Sequence, residues 1–357
     1  MKNLNSTQKE FIYPTKLLNL SRVNKKTEKK YLKKNISNIY NICYMNSSIQ
    51  CLFHCRDFIN KILEYKEEKL EVVGKLTEAT VNLIKDMLNP QNKKKDLTVS
   101  EIKEVMGESI ELYKENNQED ANEFISNYLN LLHEEIADKN NIPDIIKPNN
   151  EDYAECFNNF FNKFYMKKGS SFILDLFYGI LRTKKYCNSC KTVFSKNFSS
   201  FNILELPIYF LSKDNKDTLN FVEILINYTS QKKILNAHCK KCKGQAYSLT
   251  EIYELPKYLI IYFGRYNDDY FIENNIDFPK EMDFKNFIIK ENKNYLNNYN
   301  YKLKSIIFYT TIGKKDHYCT SCLNNNNWIY FDDDYIEKYN EKSSNGIPII
   351  LFYEKDN

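Results

Sequence analysis

The sequence predicts an α+β protein, helices first and strands afterwards, on three observations. Apolar residues recur at helical spacing from Cys43 to about residue 135. Beyond residue 170 the chain turns to short apolar runs of strand length. A polar stretch from Asp138 to Asp152 divides the two patterns.

Residues 1–32 carry many charges and little periodicity and read as a polar extension, with Phe11, Ile12 and Tyr13 its one apolar anchor. In the helical part Leu52, Ile59 and Leu63, then Val81, Ile84 and Leu88, then Phe124, Tyr128, Leu131 and Leu132 line successive faces. The run Asn89–Lys95 reads as an exposed connection. Strands are expected at Phe201–Leu206, Tyr258–Phe263, Ser305–Tyr309 and Ile347–Tyr353. An active site is expected between the two parts.

With 357 residues, 42% of them hydrophobic and 15% aromatic, the chain can bury a sizeable core. A net charge of +4 calls for neither a nucleic-acid nor a membrane partner. The abundant Asn fits an A/T-rich genome, so Asn runs are discounted as functional marks. The first 30 residues lack the apolar core of a signal peptide, and no apolar run is long enough to cross a bilayer. Ten cysteines without a secretory signal point to reduced thiols used for catalysis or metal binding, in cytoplasm and/or nucleus.

Cys43 stands just ahead of the helix-compatible run Ser47–Phe53. A thiol at a helix N-terminus meets unpaired N–H groups and the positive end of the dipole, which favour the reactive thiolate. Far downstream come His317 and, fifteen residues on, Asp332. A cysteine, a histidine and a carboxylate are what a cysteine nucleophile needs for its base and the base's orienter. Asp333 is the weaker candidate for that carboxylate, or a helper at the oxyanion. The other reading of Asp332–Asp334 is a solvated turn. Cys51, Cys55 and Cys156 read as small buried hydrophobes without polar partners. His54 and His133 read as surface or packing residues.

Cys187-x-x-Cys190 and Cys239-x-x-Cys242 are two knuckles that can supply four thiolates to one structural zinc, tying off a strand excursion. Cys319 and Cys322 lie on an expected strand, where residues three apart face opposite sides, so they are left out of that site. Asp120 opens a helix with Glu119 and Glu123 nearby, an ordinary cap.

Asn38-x-x-Asn-x-Cys43-Tyr-Met-Asn-Ser, Gln118-Glu-Asp120-Ala-Asn-Glu-Phe124, His317-Tyr318 and Trp328-x-x-Phe331-Asp332-Asp333 occur in an order that resembles the successive boxes of the ubiquitin-specific proteases. The resemblance runs from residue 38 to residue 353. It implies a papain-like cysteine protease at 33–357, with a helical thumb (33–165), zinc-bearing fingers with part of the palm (166–262) and a β-rich palm (263–357). It implies that Cys43 attacks the bond after the C-terminal glycine of ubiquitin, with His317 as general base and acid and Asp332 as its orienter. Asn38 matches the oxyanion-stabilising position, where a side-chain amide supplies a donor. Asp120 and Gln118 match positions that contact ubiquitin, Asp120 by clamping an arginine of its tail. Many members carry the four-cysteine zinc site. The short chain and the runs Cys51–Lys66 and Phe331–Lys338 look similar to a small branch that depends on WD40-repeat partners.

Four departures stand out. Tyr40 and Asp316 occupy positions usually held by glycine, and Tyr309 and Thr311 replace a histidine and a glycine beside the cleft. They keep open an alternative, a weakly active or inactive ubiquitin-binding scaffold. A zinc-ribbon nucleic-acid binder is disfavoured by the balanced charge.

Overall fold

Helices Cys43–Phe53, Arg56–Glu68, Lys75–Leu88, Ser100–Ser109 and Ala121–Ile136 come first, and strands dominate after Gly179. The computed structural model describes residues 34–38, 41–68, 73–89, 97–140, 148, 151–211, 217–267, 270–290, 298–312, 315–339 and 346–356. The extension expected at 1–32, Tyr40, residues 90–95 of the expected connection and much of the polar divide lie outside them.

The Cys43 helix is buried along its whole length. Its polar side chains are tolerated there because most find partners. Ser48 Oγ donates to Tyr44 O at 2.6 Å, Gln50 Nε2 to Lys34 O at 2.9 Å, and Asn46 Nδ2 to Ile36 O at 3.2 Å. Tyr44 meets the edge of Phe124 at 5.8 Å and stacks near Tyr113 at 6.4 Å, which locks this helix to the Ala121–Ile136 helix. The latter buries Phe124, Ile125, Tyr128, Leu129, Leu132 and Ile136 along one stripe, as its spacing predicts.

The large sheet runs, in hydrogen-bonded order, from Tyr335–Lys338 through Asn327–Asp332, Lys315–Asn324, Asn300–Ile312, Ile347–Lys355 and Tyr258–Gly264 to Leu204–Pro207. Both faces are covered, so its strands read as continuous apolar runs rather than alternating ones. Tyr258, Ile260 and Tyr262 join the core shared with the helices, while Leu259, Ile261 and Phe263 join a second core on the other face. The Cys43 helix packs on the strand carrying His317, so the site lies where helices meet sheet.

A second, four-stranded sheet projects from this body, in the order Val193–Phe201, Gly179–Cys187, Gln245–Glu254, Lys232–His238. Phe157, Phe198 and Tyr253 fill its base, with ring centroids 5.1 and 5.2 Å apart edge to face. Arg182, 2% exposed, pairs there with Glu251 at 2.9 Å and lies over the Tyr153 ring.

Two expectations need correction. The run Phe201–Leu206 is not one strand: Phe201 ends a strand of the small sheet, and Leu204 begins one in the large sheet. Between them Asn202 bends the chain and bonds Ser126 and Tyr178. The second half also holds helices, Phe172–Phe177 and Phe221–Tyr228. The latter is capped by Asn220, whose Oδ1 accepts from Val222 N and Glu223 N at 2.9 and 3.1 Å, a true cap in an Asn-rich stretch.

Candidate active site and cysteine cluster

Cys43 is the first residue of its helix, and the N-cap residue Ile42 supplies no side-chain cap to that turn. Asn41, just before it, takes the left-handed conformation at φ 55°, which asparagine tolerates. The thiol is buried and faces the strand Lys315–Asn324. His317 Nε2–H donates to Asp332 Oδ1 at 2.6 Å, which leaves Nδ1 for the Cys43 sulfur that the ring also hydrogen-bonds. The Asp332 carboxylate and the sulfur together push the His317 pKa up to about 10 against the effect of burial, so the ring holds its proton. Asp332 closes the strand Asn327–Asp332, and its second oxygen accepts from Tyr330 OH at 3.3 Å.

The two neighbouring aspartates face different tasks. Asp333 is left-handed at φ 48°, and although its carboxylate lies within 4.8 Å of the histidine, its hydrogen bonds go to the Cys43 helix and the segment before it. There its oxygens accept from Asn38 Nδ2 at 2.9 Å and Asn46 Nδ2 at 3.0 Å, while burial raises its pKa. Asn38 Oδ1 in turn accepts the Ile42 N–H at 2.9 Å. The Asn38 amide is therefore fixed at both ends beside the helix start. Its Nδ2 carries two hydrogens, so the bond to Asp333 leaves one to offer. Asn46 was not singled out from the sequence. Its position three residues after Cys43, on the same helix turn, is the mark that could have found it.

Gln118 lies against the nucleophile, with Nε2 at 3.3 Å and Oε1 at 3.4 Å from the Cys43 sulfur. Tyr318 N–H reaches the same sulfur at 3.4 Å. Asp120 caps the Ala121–Ile136 helix, with Oδ1 accepting from Asn122 N at 2.6 Å and Glu123 N at 3.3 Å, and burial lifts its pKa. Two of the departures meet: Tyr309 OH donates to Asp316 Oδ1 at 2.5 Å, and Phe271 packs on the Tyr309 ring at 5.1 Å.

Cys51 and Cys55 are buried as expected, but Cys51 does have a polar partner, Thr320 Oγ1 at 2.9 Å. The helix and strand meet closely enough there to pair the two groups. Cys156 is only partly buried. His54 and His133 are packed inside, and His133 Nδ1 bonds Ser171 Oγ at 2.8 Å. Cys319 and Cys322 enter opposite cores, as a strand spacing of three requires.

At the far end of the small sheet the sulfurs of Cys187, Cys190, Cys239 and Cys242 lie within 4.8 Å of one another. The Cys187–Cys242 and Cys190–Cys239 distances are 3.5 and 3.7 Å, close to the ~3.8 Å edge of a tetrahedron of sulfurs 2.3 Å from zinc. The two turns repeat one backbone device. Lys191 N bonds Cys187 O at 2.9 Å and Lys243 N bonds Cys239 O at 2.8 Å, with both lysines left-handed. A Cβ at Gly244 would stand 3.0 Å from the Cys187 sulfur and 2.6 Å from Ser189 Oγ, so the cradle has no room for one. These four residues could hold a metal ion.

The family profile of ubiquitin carboxyl-terminal hydrolases matches residues 34–353. A probable ubiquitin carboxyl-terminal hydrolase 4 of Schizosaccharomyces pombe is 25% identical over 329 residues, covering 84% of this chain and 54% of that protein. Ubiquitin carboxyl-terminal hydrolase Usp2 of Drosophila melanogaster is 24% identical over 357 residues, covering 90% of this chain and 34% of its own. The chain thus spans only about a third to a half of these relatives. In fold it is similar to the SAGA DUB module of Ubp8, Sgf11, Sus1 and Sgf73 bound to monoubiquitin, with a TM-score of 0.71 at 18% identity, over 92% of this chain and 70% of that one.

Proposed function

The chain belongs to the ubiquitin carboxyl-terminal hydrolase family, and on that premise we propose that it cleaves the peptide or isopeptide bond after the C-terminal glycine of ubiquitin. The observation that carries this reading is the unbroken contact from Cys43 through His317 to Asp332 across the seam between helix and sheet. The thiolate attacks the carbonyl carbon, and the π pair moves onto oxygen, toward the Cys43 N–H and the Asn38 amide. Collapse breaks the C–N bond, and the His317 proton goes to the leaving amine. His317 then takes a proton from water, whose oxygen attacks the thioester and frees Cys43. Asp332 holds the ring with Nε2 protonated throughout, and Asp333 holds Asn38 in place.

Asp120 pairs with an arginine of the ubiquitin tail. Residues 33–165 act as thumb, 166–262 as fingers with part of the palm, and 263–357 as palm. Zinc on Cys187, Cys190, Cys239 and Cys242 stiffens the fingers that grip ubiquitin's globular body; it takes no part in the chemistry. A WD40-repeat activator and a cytoplasmic or nuclear location belong to the same proposal. Among the described residues no helix is long and apolar enough to cross a membrane. An assembled triad favours an enzyme over the scaffold alternative.

Ubiquitin bearing a C-terminal electrophile tests the reading. The protein should form a covalent adduct at Cys43, lost in Cys43→Ala. An intact protein that binds ubiquitin yet forms no adduct would leave the scaffold.

A further inference from the structure

Gln118 touches the reacting atom itself. Its amide presents both polar atoms to the Cys43 sulfur, Nε2 at 3.3 Å and Oε1 at 3.4 Å. One side-chain pose therefore presents an acceptor for the neutral thiol and a donor for the thiolate. A carboxamide offers both, on two atoms, without titrating. The sulfur is buried, so an anion forming there loses its water and needs replacement donors. Among the described residues the partners of this sulfur are the Tyr318 N–H at 3.4 Å, the His317 ring and Gln118. The first is backbone and the second is the proton carrier. Gln118 is the remaining side chain free to serve the charge alone. The N-cap residue Ile42 has no side-chain cap that could compete.

We propose that Gln118 is a catalytic residue that holds the Cys43 thiolate, donating Nε2–H to the sulfur before attack, rather than serving only to grip the substrate. The step needs no co-reactant: the thiol proton passes to His317 Nδ1, and the amide turns its weight from acceptor to donor. The raised basicity of His317 agrees, because an imidazolium and an amide donor next to the same sulfur stabilise the same ion pair. The inference rests on the proposed nucleophile, and its readout is kept separate from ubiquitin.

The test follows iodoacetamide alkylation of Cys43 against pH, scored on the Cys43 peptide by mass spectrometry, in the wild type, Gln118→Met and Gln118→Glu. Methionine keeps the length and removes the donor. Glutamate keeps the shape and adds a negative charge. A hydrogen bond to a charged group is worth enough to predict a roughly tenfold slower reaction at pH 7 for Gln118→Met, with the pH profile moved up by about one unit. Gln118→Glu should move it further. Should both variants fold with wild-type melting curves and keep the wild-type profile while losing ubiquitin cleavage, Gln118 is a substrate contact and the inference fails. If Gln118→Glu does not fold, Gln118→Met decides alone; if neither folds, Gln118 is structural and the inference also fails. Failure of the proposed function would look different, as a wild-type Cys43 that alkylates normally but never reacts with the ubiquitin electrophile.

Discussion

Cys43 and the quartet Cys187, Cys190, Cys239 and Cys242 use the same functional group at two ends of the molecule, and their surroundings set them apart. Around Cys43 the neighbours are N–H donors and a protonated ring, arranged in the seam between a buried helix and a sheet. Around each sulfur of the quartet the neighbours are other sulfurs, presented by two matching turns at the end of a thin sheet. Cys190 is drawn down to about 6 there, chiefly by the Thr192 hydroxyl and amide. A thiol among donors is poised to attack, whereas thiols among thiols are poised to share a cation. The lesson is that the neighbours, not the residue type, decide the chemistry.

Removing one sulfur should break the comparison most sharply. Cys43→Ala should lower cleavage of a ubiquitin C-terminal amide by roughly four orders of magnitude or more. Ubiquitin binding, measured by calorimetry, and metal content should hold. Cys51→Ala should keep most of the activity, and cleavage persisting in Cys43→Ala would remove the nucleophile.

The two aspartates sharpen it next. Asp332→Ala should cost roughly 10²–10⁴ in turnover, because the imidazole loses the partner that fixes its tautomer. Asp333→Ala should cost about tenfold, since it loosens a donor rather than the base. Steady-state rates on the same substrate compare them, and equal losses would mean that the roles are shared.

The quartet should respond in the opposite sense. Replacing Cys187 and Cys190 with serine should take zinc from one per chain to none by elemental analysis, and weaken ubiquitin binding by about tenfold as the small sheet loosens. Cys43 alkylation should stay within about twofold of wild type. Zinc retained in that variant would move the site elsewhere.

The smallest effect contrasts two histidines. Burial, helped by Lys168, lowers the His133 pKa to about 4, so the native state carries fewer protons than the unfolded chain. Its contribution is complete above about pH 6.5 and is lost as pH falls toward 4. His317, raised to about 10, works the other way: its contribution is complete below about pH 6.5 and is lost as pH rises through 10. Urea unfolding across pH 4–10 should show His133→Gln flattening the acid limb by about one proton and leaving the alkaline limb alone. An unchanged acid limb would place the acid sensitivity elsewhere.

Much of this was legible in the chain. Apolar runs such as Tyr258–Phe263 and Ile347–Tyr353 announced strands, and helical spacing marked the Ala121–Ile136 helix. The two knuckles could be read because each is local, four residues closing on one backbone turn. The helix Phe221–Tyr228 was missed because it is short and its capping Asn220 lay in a background of asparagine. The break inside Phe201–Leu206 was missed because Asn202 finds its partners, Ser126 and Tyr178, 76 and 24 residues away.

By itself the sequence determined the order of elements, the four cysteines of the two matching turns and the residue types of the candidate site, because periodicity, caps and knuckles depend on neighbours along the chain. The tertiary structure alone decided which of two nearby aspartates hydrogen-bonds the histidine and which holds Asn38 and Asn46. It also decided that Gln118 would lie on a sulfur 75 residues away and that Asn38 would be held from 295 residues away. Those contacts form only when a buried helix is laid across a particular strand register. Chain-local rules carry no information about a distance that packing alone sets.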